Sequence, residues 1–135
     1  MKTTFDTDTI LFRVLKGAKI GNNGGIYKHG ERPAGSCKED IVVNTIELTQ
    51  EYFPQFGTSN VNIHVNDRDV LIDGRNQKQS DSPRLEVLTD KVLAALRSAK
   101  ISGLKFVTEG QTVIKDQDAA GQHYCNIRIA WYIHE

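Results

Sequence analysis

Apolar and polar positions alternate strictly in two stretches of the chain. Asn60-Val-Asn-Ile-His-Val-Asn66 places Val61, Ile63 and Val65 on one face, and 123–133 does the same with Cys125, Ile127, Ile129, Trp131 and Ile133. A period of two is the repeat of a strand, so each stretch predicts a half-buried strand with one face for a helical layer and one polar face. Between Pro83 and Ala99 the period changes. Leu85, Leu88, Val92, Ala95, Leu96 and Ala99 fall on one side of a helix, with Arg84, Glu86, Asp90, Lys91 and Arg97 largely off it. Ser82 is the capping candidate, and Pro83 lies in the first turn, where its missing N–H costs nothing. A helix of this length spans roughly 25 Å.

The remaining elements follow from weaker signals. Asp6 or Asp8 can cap a first helix that runs to about Lys16, with Ile10, Leu11, Val14 and Leu15 as its apolar stripe and Gly17 as its stop. The glycine-rich connector 20–27 contains neither GxGxxG nor Gly-Lys-Ser/Thr, so it reads as a turned link and not a phosphate loop. Ile26 and Tyr27 are expected to begin a short edge strand, 29–37 a surface loop, and the β-branched run 40–48 a strand. Tyr52-Phe-Pro-Gln-Phe56 is expected to pack in the core beneath a hairpin connection. The polar stretch 67–82 reads as a long loop interrupted by Val70, Leu71 and Ile72, which could extend a hairpin, tuck under the body or stay exposed for a partner. A strand is expected at 104–108, with the chain turning at Gly110 or within 116–121. The last strand would run some 40 Å if straight, so it is expected to bend, carry a bulge or project past the body. Together these predict an α+β fold, a mainly antiparallel four- to five-stranded sheet packed against one long helix and an N-terminal helix, in a single domain over 1–135.

A chain of this length buries roughly two-thirds of its unfolded surface and needs no disulfide or metal to fold. Cys37 and Cys125 lie far apart without a CxxC pattern, and Cys125 falls on an apolar strand face as a buried free thiol. The N-terminus lacks the apolar stretch of a signal peptide and no run reaches membrane-spanning length, so an intracellular protein without a membrane role is expected. Seventeen basic and 17 acidic residues balance, which argues against affinity built on neutralising phosphates. The distribution is uneven. From Arg13 to Lys38 six basic residues face Glu31 alone, and from Glu39 to Asp73 seven acidic residues face Arg68 alone. Two solvated faces that merely differ would look like this. So would a basic side of one subunit meeting the acidic side of the next, a heterologous contact that closes into rings.

No catalytic, cofactor or metal residue can be assigned. His29, His64, His123 and His134 are scattered, and none has a partner at metal-ligand spacing. Asp67, Asp69, Asp73 and Gly74 fall short of a calcium loop, because the third carboxylate comes four residues on and no glutamate closes the site. No serine lies in a GxSxG elbow, and Glu39 and Asp40 are expected to point to opposite faces. A pocket collecting His64 and His123 with carboxylates would revive an enzymatic reading.

The connector Gly24-Gly-Ile-Tyr-Lys28 followed by Arg32-Pro33, the strand Val61-Asn-Ile-His-Val65, the Leu- and Ala-rich helix 85–96 and the final Asn126-Ile-Arg-Ile-Ala130 come in a particular order. In that order the chain resembles the tail terminator (tail completion) proteins of long-tailed bacteriophages and prophages. The length of 67–82 and the glycines at 21–25 depart from the usual pattern and leave room for a sibling role in the neck or head–tail junction. The resemblance implies a non-enzymatic virion subunit that needs no cofactor. It would form a ring with itself, often sixfold, meet other tail or head-connector proteins, assemble in the bacterial host cytoplasm and end in the virion. Lys16, Lys19, Lys28 and Arg32 on one side, and Asp67, Asp69, Val70, Leu71, Ile72 and Asp73 on the other, are then the candidate subunit contacts. The alternative is a small cytoplasmic protein-binding or regulatory module.

Overall fold

The computed structural model describes residues 1–117 and 121–135. Its order is α1 (Thr4–Ala18), β1 (Ile26–Lys28), β2 (Ile41–Leu48), β3 (Gln55–Asn66), β4 (Arg68–Ile72), β5 (Arg75–Gln79), α2 (Ser82–Ser98), β6 (Leu104–Lys115) and β7 (Gln122–Ile133). The fold is α+β. Five strands form one mixed, mostly antiparallel sheet in the order β1-β2-β3-β7-β6, in which only β1 runs parallel to its neighbour, β2. β4 and β5 form a separate two-stranded hairpin.

Both helices lie on one face of the sheet. Leu11 and Leu15 of α1, with Leu85, Leu88, Val92 and Leu96 of α2, meet the inward residues of the alternating strands, among them Val43, Val61, Ile63, Ile127 and Ile129. Cys125 is buried on that face, as its place in the pattern requires. A short polar seam crosses this core. Trp131 Nε1 donates to Ser59 Oγ at 2.7 Å, Ser59 lies 2.7 Å from Thr45 Oγ1, and Thr45 lies 2.7 Å from Thr7 Oγ1 and donates to Asp8 at 2.6 Å. Each hydroxyl of the seam has a partner, so the seam ties α1 to β2, β3 and β7 without an orphaned polar atom of its own.

The helix starts differ from expectation. α1 begins earlier than Asp6, because Thr3 is the N-cap and its N–H donates to the Asp6 carboxylate at 2.8 Å. It runs through Gly17 and ends with Lys19 in the left-handed conformation at φ 52°. Asp81, not Ser82, caps α2, accepting from the Arg84 N–H at 3.3 Å.

Three further expectations are corrected. The last strand does not project: β7 pairs along its whole length with β3 on one side and with β6, equally long, on the other. Gly110 is no turn, since β6 continues past it with a register shift between Thr108 and Gly110. Stretch 67–82 is no open loop either, and of the alternatives left to Val70, Leu71 and Ile72 a hairpin is the one that forms. The Asp73-Gly74 pair, both at positive φ (51° and 76°), closes β4 onto β5 in the geometry that two-residue hairpins require. The turn expected within 116–121 falls partly on residues outside those described.

Candidate functional site

The densest polar chemistry lies where β2 begins and β3 ends, on the sheet face opposite the helices. The loop after β1 folds back over this corner and inserts Arg32. Its Nε donates to Asp40 at 2.9 Å, and one terminal nitrogen donates to Gln122 Oε1 at 2.9 Å and to the Ser36 carbonyl at 3.3 Å. The other terminal nitrogen lies 3.1 Å from His64 Nδ1 and 3.8 Å from Asp116. Asp40 also accepts from Ser36 Oγ at 2.5 Å and from the Gly25 N–H at 3.0 Å. His64 Nδ1 lies 3.0 Å from Asp116, and Gln122 donates to Asn66 at 2.8 Å. Asp40, His64, Asp116 and Gln122 are all buried. A second His–Asp pair stands at the same end, with His123 Nδ1 2.5 Å from Asp67.

Here two histidines and several carboxylates do come together, the condition under which an enzymatic reading would revive. The arrangement has the geometry of a latch. Asp40 spends its oxygens on Ser36, Gly25 and Arg32, and Arg32 is held at every nitrogen. Among the described residues, grooves open beside the helices, along β6 and on the outer sheet face, lined by other residues than these. No group of three metal-ligating side chains is placed to hold an ion among the described residues.

Burial first, then the neighbouring Arg32 charge, holds His64 below its ordinary 6.5, against the opposing pull of Asp116 and Asp40. Burial pushes Asp40 up, but the Ser36, Gly25 and Arg32 hydrogen bonds outweigh it and leave the carboxyl below 3.8. Glu39 is held below 4.5 chiefly by its hydrogen bond to Arg84. In all three the unfolded chain takes up a proton at a pH where the folded chain does not, so acid favours unfolding. Urea midpoints are therefore expected to fall in two steps, first as pH drops below about 6.5 and again below about 4.5. His64→Gln should flatten the first step and spare the second. A first step of unchanged size in that variant would remove His64 from the account.

The candidate contact residues are dispersed. Lys16 and Lys28 both flank the Phe12 ring, at 5.9 and 5.5 Å, and Lys28 donates to Thr9 at 2.9 Å. Lys19 lines an open groove of about 820 Å³ between the helices, together with Arg13, Lys91 and Lys100. Arg32 and Asp67 do not belong to the exposed faces expected of them. Arg32 is turned inward by buried Asp40, and Asp67, its side chain 3% exposed, is turned toward half-buried His123. The acidic region is further drawn down within the chain, because Arg84 forks onto Glu39 at 2.7 and 2.8 Å and Lys78 pairs with Asp69 at 2.8 Å. Glu39 and Asp40 do diverge, one toward α2 and the other into the latch.

Val70, Leu71, Ile72 and Asp73 make up the end of β4 and its turn, and Leu71 is 69% exposed. This hairpin makes no substantial packing contact with any other element among the described residues. The aromatic run at 52–56 is not core. Tyr52, Phe53 and Phe56 are exposed, and the buried member is Gln55, whose amide bonds Lys2 and Thr49. Phe56 instead meets Tyr132 edge-on at 5.4 Å on the outer sheet face, beside exposed Val107. Sequence reasoning missed this patch, the latch and the open edge of β6, whose strand partner among the described residues is β7. A signal for the last was present in Val113 and Ile114, two adjacent β-branched residues beyond the supposed turn.

No helix is long and apolar enough to cross a membrane among the described residues. No protein-family model matches the chain, and no curated protein is similar to it in sequence.

Proposed function

We propose that the chain is a structural subunit of a long-tailed phage or prophage virion, a tail terminator or head–tail joining protein that works by assembling into a ring. The observation that carries the assembly part is the β4–β5 arm. It holds Leu71 in solvent and makes no substantial packing contact with another element among the described residues. A lone two-stranded hairpin is marginal in water, so an arm of this kind implies a surface outside the chain on which it rests. The virion part rests on the resemblance in the order of elements. Further partners are the neighbouring tail or head-connector proteins, met first in the bacterial host cytoplasm and then in the particle. Catalysis, cofactors and sequence-specific nucleic-acid contacts have no role in this reading.

A second reading, a small cytoplasmic binding or regulatory module, draws on the outer sheet face. Phe56, Val107 and Tyr132 expose apolar surface together there, around a shallow cavity of about 360 Å³. Light scattering on a size-exclusion column, over a range of concentration and salt, separates the two. A species near six subunits that grows with concentration is expected. A monomer or dimer at every concentration would favour the binding module.

A further inference from the structure

The arm and the open edge of β6 complement each other residue by residue. Apart from a bridge from Ile101 at Leu104, β6 presents a long row of backbone groups with no strand beside it among the described residues, because β7 occupies its other side. Natural sheets usually shorten or cover such an edge. Between this edge and α2 run two grooves, about 510 Å³ beside Leu104–Thr108 and about 330 Å³ beside Gln111 and Val113. The first is rimmed by Arg97, Lys100 and Lys105, the second by Glu86 and Asp90. An added strand would therefore meet basic groups at one end and acidic groups at the other. β4 also has one open edge, since β5 is its only neighbour in the hairpin.

We propose that β4 of one copy adds antiparallel to the β6 edge of the next copy, opposing Ile72 to Phe106 and Leu71 to Val107. The inference rests on the reading of the chain as a self-assembling subunit and names how the subunits join.

Faces exclude every register one residue off, and the charges select among the rest. Phe106 and Gln111 pair with Trp131 and Ile127, which are buried beneath the helices, whereas Lys105 and Val107 pair with Tyr132 and Ala130 on the outer face. Opposing residues of paired strands share a face. With Ile72 opposite Phe106, the inward set is Ile72, Val70 and Arg68, and the outward set is Asp73, Leu71 and Asp69. Ile72 then enters the groove beside Phe106 and Leu104, and Arg68 reaches the end that carries Glu86 and Asp90. On the outer face Leu71, 69% exposed, covers Val107, 48% exposed. Asp73 falls opposite Lys105. The bulge between Thr108 and Gly110 absorbs one residue, so Asp69 comes to Gly110, whose partner across the sheet is Arg128. Apolar residues meet apolar ones, and each charge meets its opposite, over a contact of roughly 20 Å. Arm and edge are different surfaces, so the contact is head-to-tail and repeats around a ring.

The test is a disulfide between copies. Leu71→Cys and Val107→Cys are combined in a chain carrying Cys37→Ser, since Cys37 is the exposed native thiol and Cys125 is buried. Directly opposed strand residues are close enough for the bond. Oxidation should give a ladder of covalent oligomers, whereas either single cysteine should stop at dimer. Glu86→Lys with Asp90→Lys should shorten the ladder at least severalfold, and adding Arg68→Glu should restore it. These residues are on the surface of α2 or the arm, so the folded body is spared. Replacing 68–79 by a short Gly-Ser turn gives the opposing result: a chain that still reaches its full oligomeric mass without the arm overturns the inference and leaves ring assembly standing. A disulfide closed within one chain also overturns it. An intact chain that stays monomeric and gives no ladder overturns it together with the self-assembly on which it rests.

Discussion

Arg32→Ala is expected to lower the unfolding free energy by about 3–5 kcal/mol, the range for breaking a buried ion pair by removing one partner. The Asp40 side chain is 1% exposed and that of Arg32 only 18%, so water cannot take over the guanidinium's role without opening the corner. Alanine would also strip a donor from Gln122 and from the Ser36 carbonyl, adding the cost of unmet buried acceptors. Arg32→Lys should recover only part of the loss, because an ammonium cannot reach Asp40, Gln122 and His64 from a fork of fixed shape. Pairing Arg32→Met with Asp40→Asn should cost less than Arg32→Ala alone, since no uncompensated carboxylate then remains buried. Urea denaturation at neutral pH measures all three. A loss under about 1 kcal/mol for Arg32→Ala would place the corner among solvent-screened surface pairs.

The second large effect belongs to Trp131. Its ring is 98% buried, stacks at a tilt on Phe106 at 5.0 Å and donates to Ser59. Trp131→Ala should cost about 3–5 kcal/mol, from lost transfer energy and from the cavity left on the inner face. Trp131→Phe isolates the hydrogen bond. Most of the ring volume is kept, and Ser59 retains Thr45 as a partner, so about 1 kcal/mol is expected. Thermal or urea unfolding followed by circular dichroism gives both numbers. If phenylalanine cost as much as alanine, the seam from Thr7 to Trp131 would outweigh the packing of the ring.

What could be read from the sequence was what repeats locally. α2 showed itself because its inward residues recur every three or four positions. β3 and β7 showed themselves because one face of each is buried along its length. The outer half of β6 gave no such pattern, since from Glu109 to Lys115 the strand is exposed and neither face is held to apolar residues. Gly110 then looked like punctuation. The latch was hidden for another reason. Arg32 reaches residues 8, 32 and 90 positions away, and no window along the chain brings these together. Its charge was read as surface because most arginines are. The aromatic run at 52–56 misled in the opposite direction, since hydrophobic character was taken for burial and the buried residue there was an amide. The arm was half legible. A hairpin was one of the alternatives open to Val70, Leu71 and Ile72, but Asp73 and Gly74 were weighed only as part of a failed calcium loop, and a polar second strand of Arg, Asn, Gln, Lys and Gln carried no signal.

The position of β7 between β3 and β6 reaches back to the making of the chain. Asn60 of β3 meets its bonding partner Asn126 only after 66 further residues. At about 5–20 residues per second, a ribosome leaves β3 without its neighbour for several seconds. During that time the apolar row of Val61, Ile63 and Val65 has only β2 and the helices for company. Nor can a shortened chain settle into a smaller native body, because removing the last strand leaves β6 with nothing to pair to. The nascent protein is thus committed to a late closing step, and until then the edge of β3 that β7 will cover stays open.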